Sequence, residues 1–260
     1  MKHSIRVFRN KLLVAILRHL HRVSFPQRRL GDDDWVYQWR LDFLTENLEK
    51  ESVMWCKKLI RPGMIVLDIG AHLGYYTRIF SELVKDSGRV FAFEPCPENL
   101  LVLRHNLQQS KYKNVYIFDK AVSSKDGQAV LFISPGHSNH SLNAGYTPDQ
   151  GRVTVQTISI DSFLAAQSIQ VVDFIKIDVE GAEPLVLEGM RQTIERASGL
   201  KMLIEYNPIA MQAGGFEPPA LLSMLKSMGF QLYRILQGGN LGSLSVDNNE
   251  IFNLLCVLSR

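Results

Sequence analysis

The sequence predicts an α/β fold: a seven-stranded, mostly parallel sheet with helices on both faces, carrying an inserted hairpin and a helical N-terminal extension. Three observations carry the prediction. From Arg61 onward, short apolar runs alternate with segments of helical periodicity, the pattern of a parallel sheet whose crossovers are helices. The 260 residues are 46% apolar and 21% charged, enough to bury a full core and too apolar for a disordered chain. One apolar run ends in an acid followed by two glycines, at Asp68, Gly70 and Gly74, where a strand turns sharply into a helix.

In order, the expected strands are Ile65–Ile69, Arg89–Phe93, Val115–Phe118, Val171–Ile177, Lys201–Tyr206, Gln231–Ile235 and Phe252–Leu258. A helical stretch around 43–60 leads into them. After the first strand, Tyr76, Ile79, Phe80, Leu83 and Val84 fall at i, i+3, i+4, i+7 and i+8, so one helix face packs on the sheet. Pro97 and Pro184 mark helix first turns, and Leu221, Leu222, Leu225 and Met228 form another apolar stripe. Two strand-like runs, Ala129–Ile133 and Val153–Ile158, flank a loop rich in Gly, Asn, Ser, His and Pro. They are read as a hairpin inserted at about residues 127–160.

Charge divides the chain unevenly. Lys2, Arg6, Arg9, Lys11, Arg18, Arg22, Arg28 and Arg29 face no acid before Leu30, so the rest carries 21 basic against 26 acidic residues, although the whole chain is at +3. Within this stretch Ile5, Phe8, Leu12, Ile16, Leu20 and Val23 follow steps of three and four, an amphipathic helix. Its longest apolar run, Leu12 to Leu17, falls short of the roughly 20 residues of a membrane span. The expectation is a peripheral contact of residues 1–30 with an anionic membrane surface, or a helix packed on its own domain or a second subunit. Gly31-Asp32-Asp33-Asp34 ends the basic stretch, and the chain is divided into an extension at 1–50 and a catalytic domain at 51–260. The oligomeric state is left open. Cys56, Cys96 and Cys256 have neither disulfide nor zinc spacing, which suits a reducing cytoplasm. Cys256 is read as core and Cys96 as a loop residue between two prolines.

Chemistry enters at Val66 to Thr77, VLDIGAHLGYYT. Gly70-Ala71-His72-Leu73-Gly74 places its glycines as G-x-x-x-G, not the G-x-G-x-x-G that admits a pyrophosphate. The preceding Asp68 suits a cationic ligand such as S-adenosylmethionine, which carries an ammonium and a sulfonium. Glu94, at the end of the second strand, can accept hydrogen bonds from both ribose hydroxyls. The third strand ends near Asp119-Lys120-Ala121, where the Ala121 backbone is expected to meet adenine. A third string, FIKIDVEGAEPLVLEGM, spans Phe174 to Met190. Period two puts Lys176, Asp178 and Glu180 on one side of an extended strand, with Glu183 following at a helix start.

VLDIGAHLGYYT, FAFEPCPENL and KIDVEGAE in this order resemble the FkbM family of methyltransferases over roughly residues 60–230. The resemblance implies a class I, Rossmann-like methyltransferase sheet with its last strand antiparallel, S-adenosyl-L-methionine as cofactor, and a hydroxyl acceptor on a natural product, sugar or lipid-linked glycan. Carried onto this chain, Asp68, Gly70, Ala71, His72, Gly74 and Thr77 form the methionine-side loop. Glu94 holds ribose, and Asp178 lies beside the sulfonium and acceptor.

Methyl transfer to a hydroxyl needs alignment, exclusion of water and a proton acceptor. Asp178, Glu180 and Glu183 are the candidate bases, with His137 and His140 of the inserted loop as further candidates. Lys176, placed in the same catalytic set, is also read as neutralising a neighbouring acid. Asp178, Glu180 and Glu205 could offer oxygens to a divalent metal, but their spacing prescribes no site and none is predicted. Asn207-Pro208 resembles part of a base-methylating motif but follows the fifth strand and lacks its Pro-aromatic continuation. An acidic domain without a phosphate-binding stripe also argues against DNA. The reading is an O-methyltransferase acting on a small molecule or glycan. Its alternatives are a non-catalytic S-adenosylmethionine-binding module at a membrane surface and a nicotinamide-dependent oxidoreductase.

Overall fold

The structure is a computed structural model, and the residues it describes are 48–108, 111–134, 139–146, 151–244 and 250–259. The basic helix expected at the N-terminus, residues 43–47 of the lead-in helix and His137 lie outside them. The chain divides into two compact units, Met1–Val53 and Met54–Arg260. The division falls within the first described helix, α1 (Lys50–Leu59). Among the described residues, no helix is long and apolar enough to cross a membrane.

The elements of the second unit follow in chain order. They are β1 (Ile65–Ile69), α2 (Tyr75–Val84), β2 (Arg89–Phe93), α3 (Pro97–Asn106), β3 (Val115–Phe118), β4 (Lys120–Val122), β5 (Gly127–Phe132), β6 (Arg152–Ile158) and α4 (Ile160–Ala166). Then come β7 (Phe174–Ile177), α5 (Glu183–Glu188), α6 (Arg191–Arg196), β8 (Lys201–Tyr206), α7 (Pro208–Ala213), α8 (Pro218–Ser227), β9 (Phe230–Ile235), β10 (Leu241–Gly242) and β11 (Phe252–Leu258). The main sheet runs β10-β9-β11-β8-β7-β1-β2-β3. Strands β3, β2, β1, β7 and β8 are parallel neighbours, and β11 is antiparallel to both β8 and β9. The main sheet therefore has eight strands where seven were expected, because β10 adds a two-residue edge pairing to β9.

Strand alternation sorts the core onto two faces. Leu67, Ile69, Phe91, Phe93, Ile175, Ile177, Met202 and Ile204 point to one face, packed with Ile160, Phe163, Val186, Leu187, Leu221 and Leu225 from the helices. The Phe163 ring meets Phe93 and Phe118 edge-on with centroids 4.9 Å apart, a geometry worth about 0.5–1.5 kcal/mol beyond the buried area. The other face carries Asp68 and Lys176, register partners on β1 and β7, beneath α2. There Tyr76, Ile79, Phe80 and Val84 are buried as the helical spacing requires, with Leu83 half-buried.

Several expectations are corrected. Strand β7 begins at Phe174, not Val171, because the Asp173 carboxylate leaves the strand pattern to accept from the Ile65 amide at 2.7 Å. It ends at Ile177, and Glu180 takes a left-handed backbone with φ +52°, so Glu180 does not continue an extended strand. Cys96 does lie in the loop between Pro95 and Pro97, as expected, but it is buried at the N-cap position of α3. The inserted hairpin forms, with β5 antiparallel to β6, but β4 pairs parallel to β6 and makes a separate three-stranded sheet. Lys120–Val122 is too short to announce itself by periodicity. None of the three cysteines forms a disulfide, and all three are buried.

Candidate functional site

The carboxyl ends of β1, β2, β7 and β8 meet at one sheet edge. On the β1–β2 side, Asp68 is fully buried, and its Oδ2 accepts from the Thr77 hydroxyl at 2.5 Å, while Oδ1 has no hydrogen-bond partner. Burial raises its pKa, and the Lys176 ammonium pulls the other way. The bend beyond it is held by backbone. Gly70 and Ala71 both donate to the Phe93 carbonyl, at 3.0 and 2.9 Å. Gly70 sits at φ +81°, and a Cβ there would lie 1.8 Å from the Asp178 carbonyl oxygen. Gly74, at φ +91°, caps α2, with the Leu103 side chain 2.7 Å from where its Cβ would be. Neither position accepts a side chain.

Glu94 is 5% exposed. Its Oε2 accepts from the His72 amide at 2.7 Å and its Oε1 from the Cys96 amide at 2.8 Å. The carboxyl thus ties the glycine bend to the start of α3, and burial lifts its pKa to about 7. The Asn99 side chain hydrogen-bonds the same carboxyl, which leaves it acceptor capacity for a ligand on one of its oxygens. Ala121 lies in β4 opposite Thr157, buried with Cys96, Leu131 and Val155.

On the β7–β8 side the site is built from side chains. Lys176 Nζ lies 2.7 Å from Asp178 Oδ2 and 4.7 Å from the centre of the Tyr76 ring, so the buried ammonium is neutralised and capped. Glu183 is fully buried, and its Oε1 accepts from the Val179 and Gly181 amides at 3.1 and 3.3 Å. It clamps the turn that presents Glu180, and burial lifts its pKa to about 7. Oxygens of Asp178, Glu180 and Glu205 lie within 4.8 Å of one another. Asp178, then burial, drives the Glu205 pKa upward; burial, then Asp178, does the same to Glu180. Glu205 Oε2 has no hydrogen-bond partner.

Sequence reasoning gave no site role to the residues that frame Glu180. Asn207 Nδ2 donates to Glu180 Oε2 at 3.0 Å and to the Tyr146 hydroxyl at 2.8 Å, while its Oδ1 accepts from Ala210 N and caps α7. From the inserted loop, Ser141 Oγ donates to the Glu180 carbonyl at 2.6 Å, and Asn143 Nδ2 reaches the Ala210 carbonyl at 3.1 Å. The Asn-Pro dipeptide singled out in the sequence is therefore a helix start, with Asn at the cap and Pro in the first turn. His140 is turned to the loop's own backbone, its Nδ1 accepting from Ser134 N at 3.0 Å.

Two features test whether S-adenosylmethionine fits. Its ammonium and sulfonium are cations, and Asp68, Glu94, Asp178, Glu180 and Glu205 make this edge acidic. The buried, unpartnered Asp68 Oδ1 lacks the donor that a buried carboxylate requires, and an ammonium would supply it. The residues fit the group. Asp178, Glu180 and Glu205 also have the oxygen chemistry of a hard-cation site, although Lys176 and Asn207 already engage two of them.

The order β3-β2-β1-β7-β8-β11-β9 with β11 reversed, and an acidic glycine bend at its carboxyl edge, define a class I, Rossmann-like, S-adenosylmethionine-dependent methyltransferase. The chain belongs to the FkbM methyltransferase family: the model described as "Methyltransferase FkbM domain" matches residues 68–232. It is 24% identical to the 2-O-methyltransferase NoeI of Sinorhizobium fredii over 74% of this chain and 83% of that one. It is 28% identical to the hexuronic acid methyltransferase AglP of Haloferax volcanii, covering 58% of this chain and 55% of AglP. It is likewise 28% identical to the 31-O-demethyl-FK506 methyltransferase FkbM of Streptomyces tacrolimicus, covering 50% of this chain and 61% of FkbM. The chain thus spans somewhat over half the length of the last two. Among solved structures it is similar to a putative O-methyltransferase from Klebsiella pneumoniae, with a TM-score of 0.49, 13% identity, and coverage of 96% of this chain and 99% of that one.

Proposed function

We propose that this chain methylates a hydroxyl on a sugar or other small molecule, with the β1–β2 side of the edge holding S-adenosylmethionine and the β7–β8 side receiving the acceptor. One observation carries the reading: two acidic groups of different construction, one locked by backbone and one by side chains, converge on the same sheet edge. The relatives' names favour oxygen as the methylated atom, and AglP favours a carbohydrate.

When bound, S-adenosylmethionine supplies an electrophilic methyl on a sulfonium. Asp68 and the bend at Gly70, Ala71, His72 and Gly74 hold the methionine end. Thr77 serves indirectly by fixing Asp68, Glu94 takes the ribose hydroxyls, and the Ala121 backbone lies at the adenine end. Asp178 and Glu180 face the acceptor. One of these carboxylates would take the proton of the acceptor hydroxyl, leaving its oxygen able to receive the methyl that S-adenosylmethionine would supply. Lys176 keeps Asp178 oriented, and Glu183 acts one step removed by fixing the Glu180 turn. Residues 1–30 bring the enzyme to anionic membrane surfaces, which co-sedimentation with phosphatidylglycerol vesicles tests.

Incubation with methyl-tritiated S-adenosylmethionine and a cell extract should label a low-mass or glycan fraction. Label confined to protein or nucleic acid would overturn the reading. Asp178→Ala should abolish transfer while S-adenosylhomocysteine still binds by calorimetry.

A further inference from the structure

We infer that Tyr146 and Asn207 are positioning residues that aim the Glu180 carboxyl at the acceptor, so that the inserted loop completes the proton-accepting centre. The inference rests on the reading that Glu180 faces the acceptor. Asn207 has one orientation open to it: its amide oxygen caps α7 by accepting from Ala210 N at 3.1 Å. The NH₂ group must then point the other way, and it donates to both Glu180 Oε2 and the Tyr146 hydroxyl. Having accepted from Asn207, the Tyr146 hydroxyl still has its own proton to give, and Glu180 is the carboxylate hydrogen-bonded to it. Two donors from separate segments therefore converge on one carboxyl.

The loop grips the same residue by its backbone. Ser141 Oγ donates to the Glu180 carbonyl at 2.6 Å, and Asn143 Nδ2 stands 3.4 Å from it. Two glycines make room for Asn143: a Cβ on Gly181 or Gly214 would lie 2.6 or 2.5 Å from its side-chain atoms. Glu180 itself holds a positive φ of 52°, a conformation that a non-glycine residue keeps only when its surroundings impose it. A surface turn would need none of this. A carboxyl that must meet a reacting hydroxyl in one geometry does.

The experiment compares Tyr146→Phe, Asn207→Ser, Glu180→Gln and the Tyr146→Phe/Glu180→Gln double variant. Serine is chosen because it still caps a helix. The readouts are tritium transfer to the wild-type-labelled extract fraction at saturating S-adenosylmethionine, S-adenosylhomocysteine affinity, and the thermal midpoint. Tyr146→Phe and Asn207→Ser should each slow transfer about tenfold with S-adenosylhomocysteine affinity unchanged. On the Glu180→Gln background, Tyr146→Phe should cost nothing further. Full activity of Tyr146→Phe overturns the inference. So does a parallel fall in affinity or thermal midpoint, or a further loss in the double variant. If wild-type protein labels no such fraction, the parent reading fails first and takes the inference with it.

Discussion

The two halves of the site are made of different materials. At the β1–β2 side, position is set by main chain: two glycines at positive φ, amides bonded to Phe93 O, and a carboxyl bonded to two amides. At the β7–β8 side, position is set by side chains drawn from the inserted loop, the turn after β7 and the start of α7. Damage to the first half should appear as lost folding or cofactor affinity, and damage to the second as lost rate.

The sharpest challenge to that contrast is Gly70→Ala, whose Cβ would meet the Asp178 carbonyl at 1.8 Å from a φ of +81°. Strain and clash together should cost about 3 kcal/mol or more, and S-adenosylhomocysteine binding should vanish in calorimetry. Glu94→Gln comes next. The amide can accept from only one of the His72 and Cys96 amides, so a buried donor loses its partner at a cost of about 1–3 kcal/mol. Affinity for S-adenosylhomocysteine should fall ten- to a hundredfold.

A subtler effect is the pH dependence of stability. Burial lifts Glu94 and Glu183 from 4.5 to about 7, so the folded chain holds protons that the unfolded chain has released. Their contribution is fully present below about pH 4.5 and is lost as pH rises towards and through about 7. The thermal midpoint of ligand-free protein should therefore drop across this window, and Glu183→Gln should flatten the drop. The smallest effect belongs to Ser81→Ala. Ser81 Oγ donates to Asn114 Oδ1 at 2.6 Å, away from the sheet edge, so about 1 kcal/mol of stability should be lost with transfer unchanged. A slowed rate would blur the distinction between framework and site.

The same contrast explains what could be read from the sequence. Asp68, Gly70, Gly74 and Glu94 occupy short contiguous strings whose conformation follows from local chemistry, and five of the seven expected strands have their observed bounds. The grouping of Asp178, Glu180 and Glu205 was visible as chemistry but not as geometry, since the strand ends before Glu180. Tyr146, Ser141 and Asn143 lie in a segment rich in turn residues, where neither periodicity nor spacing says which side chain returns to the core. Asn207 stood out for its dipeptide, and only the cap geometry shows why its NH₂ faces Glu180. Strand β4 was missed because three residues carry no period.

Strand β11 lies between β8 and β9 although it follows both in sequence. Until Phe252–Leu258 is in place, two apolar strands stand with unpaired backbone along their facing margins, and such margins recruit strands from other chains. Nascent chains cut short ahead of this segment are thus the ones most in need of a chaperone. Glu205 and Asn207, at the end of β8, depend on this later-made strand for a firm footing.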